Sequence, residues 1–323
     1  MAALRHLVTG GAGVIGFELV KQLLAGGDRV VTIDVGKKGG LEDLERLGAQ
    51  HAGRLEIVRA DLAADPECLQ GRFDAIFHFA AIVGVQYVTD HPYETMSVNM
   101  RTTLRVLDHA IANGCRTVFF ASSSENYASG VDHGFVPVPT PENVILSIDD
   151  IALPRWSYAA SKMAGESAVF GAAREGKFTP VVVRFHNVYG PRMGPTHVIP
   201  ELMERVRKRA DPFPVYGNDQ TRSFLYAEDA GRALVTVLRA ALEGRGGIYN
   251  IGSPVETRIA ELVKLVFDVA DFHPRIDEKP APPGSVRRRV PDIAKLSALG
   301  FQPRIALIDG LRKCWSTEPG SNR

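Results

Sequence analysis

The chain is poor in cysteine and has no long apolar run, and each of these shortages excludes a class of protein. Its 323 residues contain three cysteines, Cys68, Cys115 and Cys314, without the C-x-x-C spacing of a zinc or redox site. Scattered thiols in odd number favour a reduced, cytoplasmic protein without structural zinc. No apolar run approaches the roughly 20 residues that span a bilayer, and Met1 leads straight into a predicted strand. We therefore expect neither a membrane partner nor a signal peptide.

An excess of charge of one sign is also lacking. The 38 basic and 37 acidic residues leave a formal net charge of +1. Proteins that bind nucleic acid or anionic membranes usually carry a marked basic excess, so we expect neither partner. The histidines lack the spacing of metal ligands, and we expect no metal site. We interpret His78 and His186 as hydrogen-bonded polar residues near a cleft.

Glycine, in contrast, is concentrated in one informative stretch. Residues Thr9 to Gly16 have the sequence TGGAGVIG, which satisfies both G-x-G-x-x-G and G-x-x-G-x-x-G. The stretch follows the apolar run Leu4–Val8 and opens a helix-like segment. Such glycines let the backbone approach a pyrophosphate, and the helix N-terminus offers free N–H groups and a positive dipole end. The stretch predicts a dinucleotide-binding loop. Its expected cofactor contacts are Gly10, Gly13, Val14, Ile15 and Gly16.

The choice between NAD and NADP depends on the end of the second predicted strand. The run Arg29–Ile33 is rich in β-branched residues, and Asp34 follows it. A carboxylate at this position can accept hydrogen bonds from both ribose hydroxyls and repels a 2′-phosphate, which favours NAD. Lys37 and Lys38 follow closely and leave NADP open.

Short β-branched runs alternate with longer helical runs through the first half of the chain. The predicted strands are Leu4–Val8, Arg29–Ile33, Leu55–Arg59, Ala75–Phe79, Thr117–Ala121 and Pro180–Arg184. The predicted helices include Glu94–Asn113 and Trp156–Arg174. This alternation predicts an α/β fold with a Rossmann-type, doubly wound parallel sheet, which binds ligands at the carboxyl ends of its strands.

After about residue 187 prolines break the sequence into shorter pieces. The helical stretch Ala227–Leu242 is the exception and is predicted to return to the first domain. We therefore predict an NAD-binding domain over residues 1–186 with a returning segment over about 227–248. Residues 187–226 and 249–323 would form a smaller, discontinuous C-terminal substrate domain, with the substrate in the cleft between the two domains.

Tyr158 and Lys162 lie four residues apart, which places a phenol and an ammonium group on one face of a helix. A nearby cation stabilises phenolate and lowers the pKa of a tyrosine from about 10 toward the working range. The tyrosine can then take a proton from a substrate hydroxyl while the same carbon gives a hydride to nicotinamide. Ser123, at the end of an apolar strand, can hydrogen-bond the same hydroxyl. Taken singly, each residue also has a structural explanation, as a packed tyrosine, a surface lysine or a turn serine.

These residues together resemble the extended short-chain dehydrogenases/reductases, and among them the NAD-dependent nucleotide-sugar epimerase/dehydratase family. The matching segments run nearly from end to end in the family's order. They are Thr9–Gly16, Asp34, Asp61 with Leu62, His78–Ala81, Asn99, Ser122–Tyr127, Tyr158 with Lys162, Arg184–Arg192, Thr221–Phe224, Tyr249–Gly252 and Arg287–Ile293. The resemblance implies an enzyme that oxidises C4 of a hexose linked to UDP, dTDP or GDP and forms a 4-keto intermediate.

The resemblance also assigns roles to individual residues. The further cofactor contacts that it implies are Asp61, Leu62, Ala80, Ala81, Asn99, Tyr158 and Lys162. The implied substrate contacts are Ser123, Asn187, Arg222, Arg288 and Arg289. Guanidinium groups suit the substrate because they bind a pyrophosphate with paired hydrogen bonds. The two long predicted helices resemble the pair that forms a four-helix dimer interface in the family, so a homodimer is expected.

The residue at position 125 bears on the reaction that follows C4 oxidation. Simple 4-epimerases of the family usually have no acid there, dehydratases have Asp-Glu at 124 and 125, and uronic-acid decarboxylases have Ser-Glu. Glu125, after a serine, resembles the decarboxylases and joins the predicted catalytic residues, and Arg289 matches their arginine near the substrate carboxylate. The segment Arg184–Arg192 instead resembles the epimerases. Epimerisation, dehydration and decarboxylation all stay open, and a long proline-containing insertion before Tyr158 is predicted to form part of the substrate pocket.

Two other classes of protein share parts of this pattern. An extended dehydrogenase of steroids or flavonoids would have the glycine loop and the Tyr158–Lys162 pair, but not Asn187, Arg222 and the arginine run. A non-enzymatic NAD-binding regulatory module would usually have lost the tyrosine or the lysine.

Overall fold

A computed structural model of the protein describes residues 3–37, 40–51, 53–281 and 286–317. Its strands are β1 (Arg5–Thr9), β2 (Arg29–Asp34), β3 (Leu55–Arg59), β4 (Ala75–His78), β5 (Thr117–Ser123), β6 (Thr179–Phe185), β7 (Val188–Tyr189), β8 (Phe213–Tyr216), β9 (Thr221–Ser223), β10 (Leu225–Tyr226), β11 (Gly247–Ile251), β12 (Glu256–Arg258), β13 (Ile276–Lys279) and β14 (Arg288–Arg289). Its helices are α1 (Val14–Ala25), α2 (Leu41–Gln50), α3 (Val85–Asp90), α4 (Pro92–Asn113), α5 (Ala128–Asp132), α6 (Trp156–Gly176), α7 (Val198–Arg207), α8 (Ala227–Leu242), α9 (Ile259–Ala270), α10 (Ala294–Ser297) and α11 (Leu307–Ser316). Two short 3₁₀ helices cover Pro66–Cys68 and Ser124–Tyr127.

Seven parallel strands form the central sheet in the described part of the chain, in the order β11-β6-β5-β4-β1-β2-β3. Parallel neighbours need crossover connections, and helices supply these connections on both faces of the sheet. Both faces are therefore buried, which explains the continuous apolar runs in the sequence. The predicted doubly wound sheet is confirmed, and the six predicted strands agree with the observed strands to within two residues at each end.

Each face of the sheet has its own apolar core. Leu7 and Val8 are neighbours on β1, yet their side chains belong to different cores because strand side chains alternate between faces. Helices α1 and α8 cover one face, and α4 and α6 lie side by side on the other. None of the described helices is both long enough and apolar enough to cross a membrane.

A further core forms mostly from elements after β6. Helices α7, α9 and α11 pack with β8 around apolar side chains that include Leu202, Phe213, Val263 and Leu311. Helix α8 returns to pack on α1, as the sequence predicts, and β11 then joins the edge of the central sheet.

The central sheet and its core include more residues from the second half of the chain than the sequence predicted. Strand β11 continues past residue 248 to Ile251, because its backbone pairs with β6 over its whole length. Ile293, Leu296 and Phe301 also join the core beneath the sheet, although the sequence assigned them to the substrate domain.

Helix α6 contains two glycines, Gly165 and Gly171, whose replacement by alanine should change the free energy of unfolding in opposite directions. A Cβ on Gly165 would lie 2.3 Å from the ring of Phe120 on β5, whereas a Cβ on Gly171 would meet nothing within 4 Å. We expect Gly165→Ala to lower the free energy of unfolding by about 1–3 kcal/mol, because overpacking pushes the helix off the sheet. The matched control, Gly171→Ala, should raise it by about 0.5–1 kcal/mol, because alanine favours the helix. Urea unfolding measures both values, and equal effects would contradict this packing of α6.

Candidate active site

The predicted site residues meet at the carboxyl edge of the central sheet, where doubly wound folds bind their ligands. Strand β1 ends at the glycine loop, β2 ends at Asp34 and β5 ends at Ser123. Helix α6 brings Tyr158 and Lys162 to the same edge, where Tyr158 is hydrogen-bonded to Ser123.

The glycine loop between β1 and α1 is packed so closely that side chains would not fit at two of its positions. Gly10 has a φ of +77°, and a Cβ there would lie 2.8 Å from a backbone nitrogen of the loop after β4. A Cβ on Gly16 would lie 2.2 Å from the carbonyl oxygen of Gly10, so a larger residue would force the loop open. Gly13 is the N-cap of α1, and no side chain caps this helix, which begins with Val14 and Ile15. The N–H groups of its first turn therefore remain available to an anion.

The carboxylate of Asp34 is fixed beside this loop. Its Oδ2 accepts the N–H of Ala12 at 3.0 Å, and its Oδ1 accepts the N–H of Gly36 at 2.8 Å. Each oxygen keeps a lone pair for a further donor, such as a ribose hydroxyl. The glycine cradle and this carboxylate fit NAD. Lys37 is exposed nearby, whereas Lys38 lies outside the described residues.

The other predicted cofactor contacts line the same edge. Leu62 is buried, and the exposed Asp61 accepts a backbone N–H two residues on at 2.9 Å. Ala80 donates its N–H to the hydroxyl of Thr9 at 3.2 Å, and Ala81 follows it, half-buried. The bond from Ala80 therefore ties the loop after β4 to the end of β1.

Asn99 connects α4 to two parts of the site. Its side chain accepts the N–H of Ile82 at 2.7 Å and donates to the carbonyl of the same residue at 3.3 Å. Its Nδ2 also donates to the hydroxyl of Ser161 at 3.2 Å. Because Ser161 precedes Lys162, Asn99 fixes the loop after β4 relative to the helix that carries the predicted catalytic pair.

The two histidines are hydrogen-bonded, as the sequence predicts. Nδ1 of His78 lies 2.9 Å from the hydroxyl of Thr9, and Nε2 of His186 lies 3.2 Å from the side-chain oxygen of Asn250. Burial lowers the pKa of each histidine to about 3, and the charge of Lys162 adds to the effect on His78. Both rings are therefore neutral near neutral pH. Among the described residues, no group of three or more histidine, cysteine, aspartate or glutamate side chains could hold a metal ion.

The environment of Tyr158 differs from our expectation. Burial raises its pKa to about 12, the hydrogen bond with Ser123 lowers it, and the negative charge of Glu125 raises it. Lys162 has its ammonium nitrogen 5.6 Å from the centre of the tyrosine ring. Burial lowers the pKa of Lys162 to about 7, against the charge of Glu166. We expected Lys162 to lower the pKa of Tyr158. In the protein without bound cofactor this expectation is wrong, because burial disfavours the charged form of both groups.

A buried ion pair lies behind the catalytic edge. Arg184 of β6 donates from Nε and Nη2 to the two oxygens of Glu166 on α6, at 2.9 and 2.6 Å. Glu166 also accepts hydrogen bonds from Ser122 at 2.5 Å and from Asn126 at 3.0 Å. Our sequence analysis did not single out Glu166, although its position one helical turn after Lys162 is the signal that points to it.

The polar network continues from this ion pair into the second half of the chain. Nη1 of Arg184 donates to the hydroxyl of Tyr127 at 2.7 Å, and Tyr127 donates to Asn250 at 2.9 Å. The amide of Asn250 donates to the carbonyls of Thr140 and Asp292, at 2.9 and 3.1 Å. Thr140 belongs to the predicted insertion, so the network ties the insertion to the segment that follows β14.

The insertion is also paired directly with that segment. Thr140 forms an isolated parallel bridge with Pro291. The N–H of Thr140 donates to the carbonyl of Val290 at 2.9 Å, and the N–H of Asp292 donates back to Thr140 at 2.9 Å. The insertion therefore lies against the strand that carries Arg289.

Glu125 lies between two arginines. Its Oε1 is 2.9 Å from Nη1 of Arg289, and its Oε2 is 3.8 Å from Nη2 of Arg155. Burial raises the pKa of this carboxyl group, but the charges of Arg289, Arg155 and Arg222 outweigh burial and hold it below its usual range. Glu125 is therefore ionised near neutral pH. Sequence reasoning missed Arg155, because its contact with Glu125 spans the insertion.

Arg222 is a half-buried cation on β9, and in the β9–β14 pairing it lies beside Arg289. Burial and the charge of Arg289 together lower its pKa to about 10, against the charges of Glu125 and Asp132. Within the described structure its hydrogen bonds go to the carbonyl of Thr221 at 2.8 Å and to the amide oxygen of Gln220 at 3.2 Å. Neither partner is an acid, so the site has positive charge to offer an anion.

Arg288 and Asn187 are engaged with other protein groups. Arg288 is next to Arg289 on a strand, so its side chain points to the opposite face, where it makes two 2.7 Å bonds to Glu256. Asn187, with a φ of +40°, donates its amide to the carbonyl of Ser223 at 3.0 Å. Both residues therefore support β9 and its neighbours.

Several buried polar atoms near this cluster have no hydrogen-bond partner within the described structure. They are Nε of Arg289, the hydroxyls of Ser157 and Ser223, and the indole nitrogen of Trp156. Trp156 and Ser157 lie between Arg155 and Tyr158 in the chain, and Ser223 follows Arg222. Arg289 contacts Glu125 directly. Because a buried polar group without a partner is costly, Nε of Arg289, beside Glu125, is a candidate donor to a ligand.

Comparisons with known proteins agree with this geometry. Residues 6–252 match the family described as the NAD dependent epimerase/dehydratase family. The chain is 32% identical to the UDP-N-acetyl-α-D-glucosaminuronate decarboxylase of Bacillus cytotoxicus, over 96% of each protein. It is 31% identical to the UDP-glucose 4-epimerase of Mycolicibacterium smegmatis, over 96% of this chain and 97% of the relative.

Solved structures show the same likeness. The dTDP-glucose 4,6-dehydratase of Streptomyces venezuelae, solved with NAD bound, superposes with a TM-score of 0.82 and 28% identity. The match covers 96% of this chain and 95% of that protein. The relatives are enzymes, which does not favour a non-enzymatic regulatory module, and the predicted cofactor, NAD, is confirmed at the level of the family. The chain belongs to the NAD dependent epimerase/dehydratase family of extended short-chain dehydrogenases/reductases.

Proposed function

We propose that the protein oxidises C4 of a UDP-linked hexuronate and that the resulting 4-keto sugar loses its C6 carboxyl group as CO₂. The observation that carries the proposal is the ion pair between Glu125 and Arg289, close enough to Tyr158 for Glu125 to shift its pKa. The UDP-sugar decarboxylase and 4-epimerase among the relatives support the choice of UDP.

Ser123, Tyr158 and Lys162 serve the oxidation step. We assign Tyr158 as the base that takes the proton of the C4 hydroxyl, and Ser123 as a hydrogen-bond partner of that hydroxyl. When bound, NAD⁺ accepts the hydride from C4 and adds positive charge near the phenol. Additional positive charge is needed, because the pKa of Tyr158 is about 12 in the protein alone. Lys162 is assigned to the ribose beside the nicotinamide.

The cofactor contacts proposed from the sequence keep their assignments. The glycine loop would hold the pyrophosphate of NAD at the N-terminus of α1, and Asp34 would accept the hydroxyls of the adenosine ribose. Asp61 and Leu62 would lie along the adenine, and the loop of Ala80 and Ala81, fixed by Asn99, would lie along the cofactor.

The nucleotide tail of the substrate requires cations without acidic partners. We assign Arg222 to the substrate pyrophosphate, because its hydrogen bonds in the described structure go to neutral acceptors. Arg289 takes the role that the resemblance implied for the arginine run, whereas Arg288 supports β14 through Glu256.

Glu125 and Arg289 favour decarboxylation over the other outcomes. Dehydration needs an acid to protonate the departing C6 hydroxyl, but Glu125 is held ionised and residue 124 is a serine. A simple 4-epimerisation requires no charged pair near the sugar. A 4-keto hexuronate is a β-keto acid, so the electrons of its C5–C6 bond can move into the ketone as CO₂ leaves. A proton then returns to C5.

The domain division and the compartment are also proposals. Residues 187–226 and 249–323 would supply most of the nucleotide-sugar domain, supported by the separate core around α7, α9 and α11. We propose the cytoplasm, because Cys68, Cys115 and Cys314 are free thiols, which suits a compartment that keeps thiols reduced.

Products formed from a panel of nucleotide sugars test the proposed reaction. UDP-glucuronate should yield a UDP-pentose or its 4-keto form, identified by NMR, and UDP-glucose should not be dehydrated. Tyr158→Phe should keep the fold and NAD binding but reduce turnover at least a hundredfold, because the base is removed. A UDP-hexuronate epimer as the sole product, or full activity of the variant, would contradict the proposal.

Asp34 should set the choice between NAD and NADP. We expect Asp34→Ser to weaken NAD binding about tenfold, equivalent to about 1.4 kcal/mol, and to narrow the preference over NADP. Removal of the carboxylate takes away both a ribose acceptor and the repulsion of a 2′-phosphate. Fluorescence titration with both dinucleotides measures the effect, with Asp65→Ser, at an exposed carboxylate, as the control. An unchanged NAD/NADP ratio would contradict this role.

We also propose that α4 and α6 form a homodimer interface. These two long helices pack side by side on one face of the sheet, and α4 leaves the apolar side chains of Tyr93 and Leu104 exposed. Light scattering should give twice the mass of one chain, and Leu104→Glu should lower it, because a charge disfavours burial in an interface. A monomeric wild-type protein would refute this proposal.

A further inference from the structure

We propose that Arg192 is a positioning residue that fastens the segment after β6 to α1 and α2, and that this fastening limits the rates at which NAD enters and leaves the site. The inference rests on the proposed placement of NAD at the glycine loop, but not on the reaction that follows. Arg192 ends a segment that resembles the epimerases, and the steps proposed above give it no role.

We call residues 186–192, which follow β6, the strap. The strap begins at the carboxyl edge of the central sheet, where Phe185 of β6 pairs with Ser123 of β5. It ends against α1, where a Cβ on Gly190 would lie 3.5 Å from the side chain of Val14. The strap therefore runs from the proposed catalytic serine to the helix that would hold the pyrophosphate of NAD, which is the path proposed for the nicotinamide half of the cofactor.

A turn brings Arg192 over α1. The carbonyl of Gly190 accepts the N–H of Met193 at 3.1 Å, so Pro191 and Arg192 are the two central residues of the turn. Proline fixes its own φ and suits the first central position. The guanidinium carbon of Arg192 lies 3.5 Å from the centre of the Phe17 ring on α1.

Two acids hold the guanidinium of Arg192 in place. Its Nε and Nη2 both donate to Oδ2 of Asp43 on α2, at 2.9 and 2.7 Å, and its Nη1 lies 4.0 Å from Oε1 of Glu18 on α1. Both acids have a second cation nearby, since Lys21 lies 3.5 Å from Glu18 and Arg46 lies 3.2 Å from Asp43. The side chains of Arg192 and Asp43 are 19% and 17% exposed, so solvent and salt screen their pair less than a fully exposed one.

Helix α2 is in turn packed on the glycine loop. It begins after Gly40, which has a φ of +85° and whose Cβ, if present, would lie 2.5 Å from the carbonyl oxygen of Ala12. Ala12 also donates its N–H to Asp34, the proposed ribose acceptor. Arg192 therefore connects the strap to both helices that adjoin the glycine loop. Because these contacts join protein groups alone, they do not require NAD, and the strap should have to open before NAD enters as well as before it leaves.

A merely structural role is the competing explanation, since Arg192 also joins α1 to α2. The explanations differ in what they change. Loss of a structural contact would lower the free energy of unfolding and leave the rates of NAD binding unchanged. Loss of a direct contact with NAD would raise the dissociation rate constant alone. Loss of a strap that must open would raise the association and dissociation rate constants together.

Stopped-flow fluorescence of NADH measures both rate constants. Mixing with the protein gives the association rate constant, and displacement from the loaded protein by excess NAD⁺ gives the dissociation rate constant. Arg192→Gln should raise both by about fivefold or more and change the dissociation constant less than about threefold. Arg192→Lys should have a smaller effect, because an ammonium group keeps the charge but not the two-pronged contact.

Two further variants separate the strap from its surroundings. Asp43→Ala should raise both rate constants as Arg192→Gln does, and the double variant should raise them no further, because the two changes break the same contact. The matched control is Arg46→Gln, which removes the other cation beside Asp43 and leaves the strap in contact. It should change neither rate constant. Urea unfolding of each variant reports any loss of global stability.

The proposal is overturned if Arg192→Gln leaves both rate constants unchanged, if it raises only the dissociation rate constant, or if Arg46→Gln has the same effect. Failure of the cofactor placement would look different. If NAD did not bind at the glycine loop, Asp34→Ser would also leave NAD binding unchanged. If Asp34→Ser weakens NAD binding while Arg192→Gln changes neither rate constant, the placement stands and only the role of the strap is refuted.

Discussion

The buried ion pair between Glu166 and Arg184 is the interaction on which the rest of the site depends. Their side chains are 6% and 3% exposed, so both charges have lost their water. Such burial is tolerated when the geometry is bidentate and remaining lone pairs are hydrogen-bonded, and Ser122 and Asn126 both donate to Oε1 of Glu166 here. Loss of one partner would leave a bare charge in the interior, at a cost of about 3–5 kcal/mol. The pair fixes α6, β5 and β6 at one place, and the network continues through Tyr127 and Asn250 to Thr140 and Asp292.

The fold gives two neighbouring groups of ionisable side chains different electrostatic environments. On one side, burial disfavours charge, so Tyr158 stays protonated and the pKa of Lys162 is low. On the other side, three arginines keep Glu125 ionised. Groups whose environments push their pKa values apart take different roles in catalysis. A neutral phenol suits a base that acts only once further positive charge is bound, whereas the arginine cluster suits recognition of anionic parts of a substrate.

Local patterns in the sequence were sufficient for six of the seven strands of the central sheet, the glycine loop and the Tyr158–Lys162 pair, because each depends on spacing within one element or turn. The features that escaped prediction depend on contacts distant in the chain. The partner of Arg184 is set by how α6 packs on the sheet, and the different roles of Arg288 and Arg289 are set by the pairing of β14 with β9. The direction of the tyrosine pKa was misjudged because burial, which dominates it, is a property of the folded chain.

The fate of C6 tests the central claim most directly. UDP-glucuronate labelled with carbon-13 at C6 would be mixed with an excess of NAD-loaded enzyme, and the label followed by NMR through a single turnover. The account predicts that the label leaves the sugar and appears as CO₂ and bicarbonate at the rate at which the substrate disappears. A label that remains in a six-carbon nucleotide sugar after the substrate has reacted would contradict it.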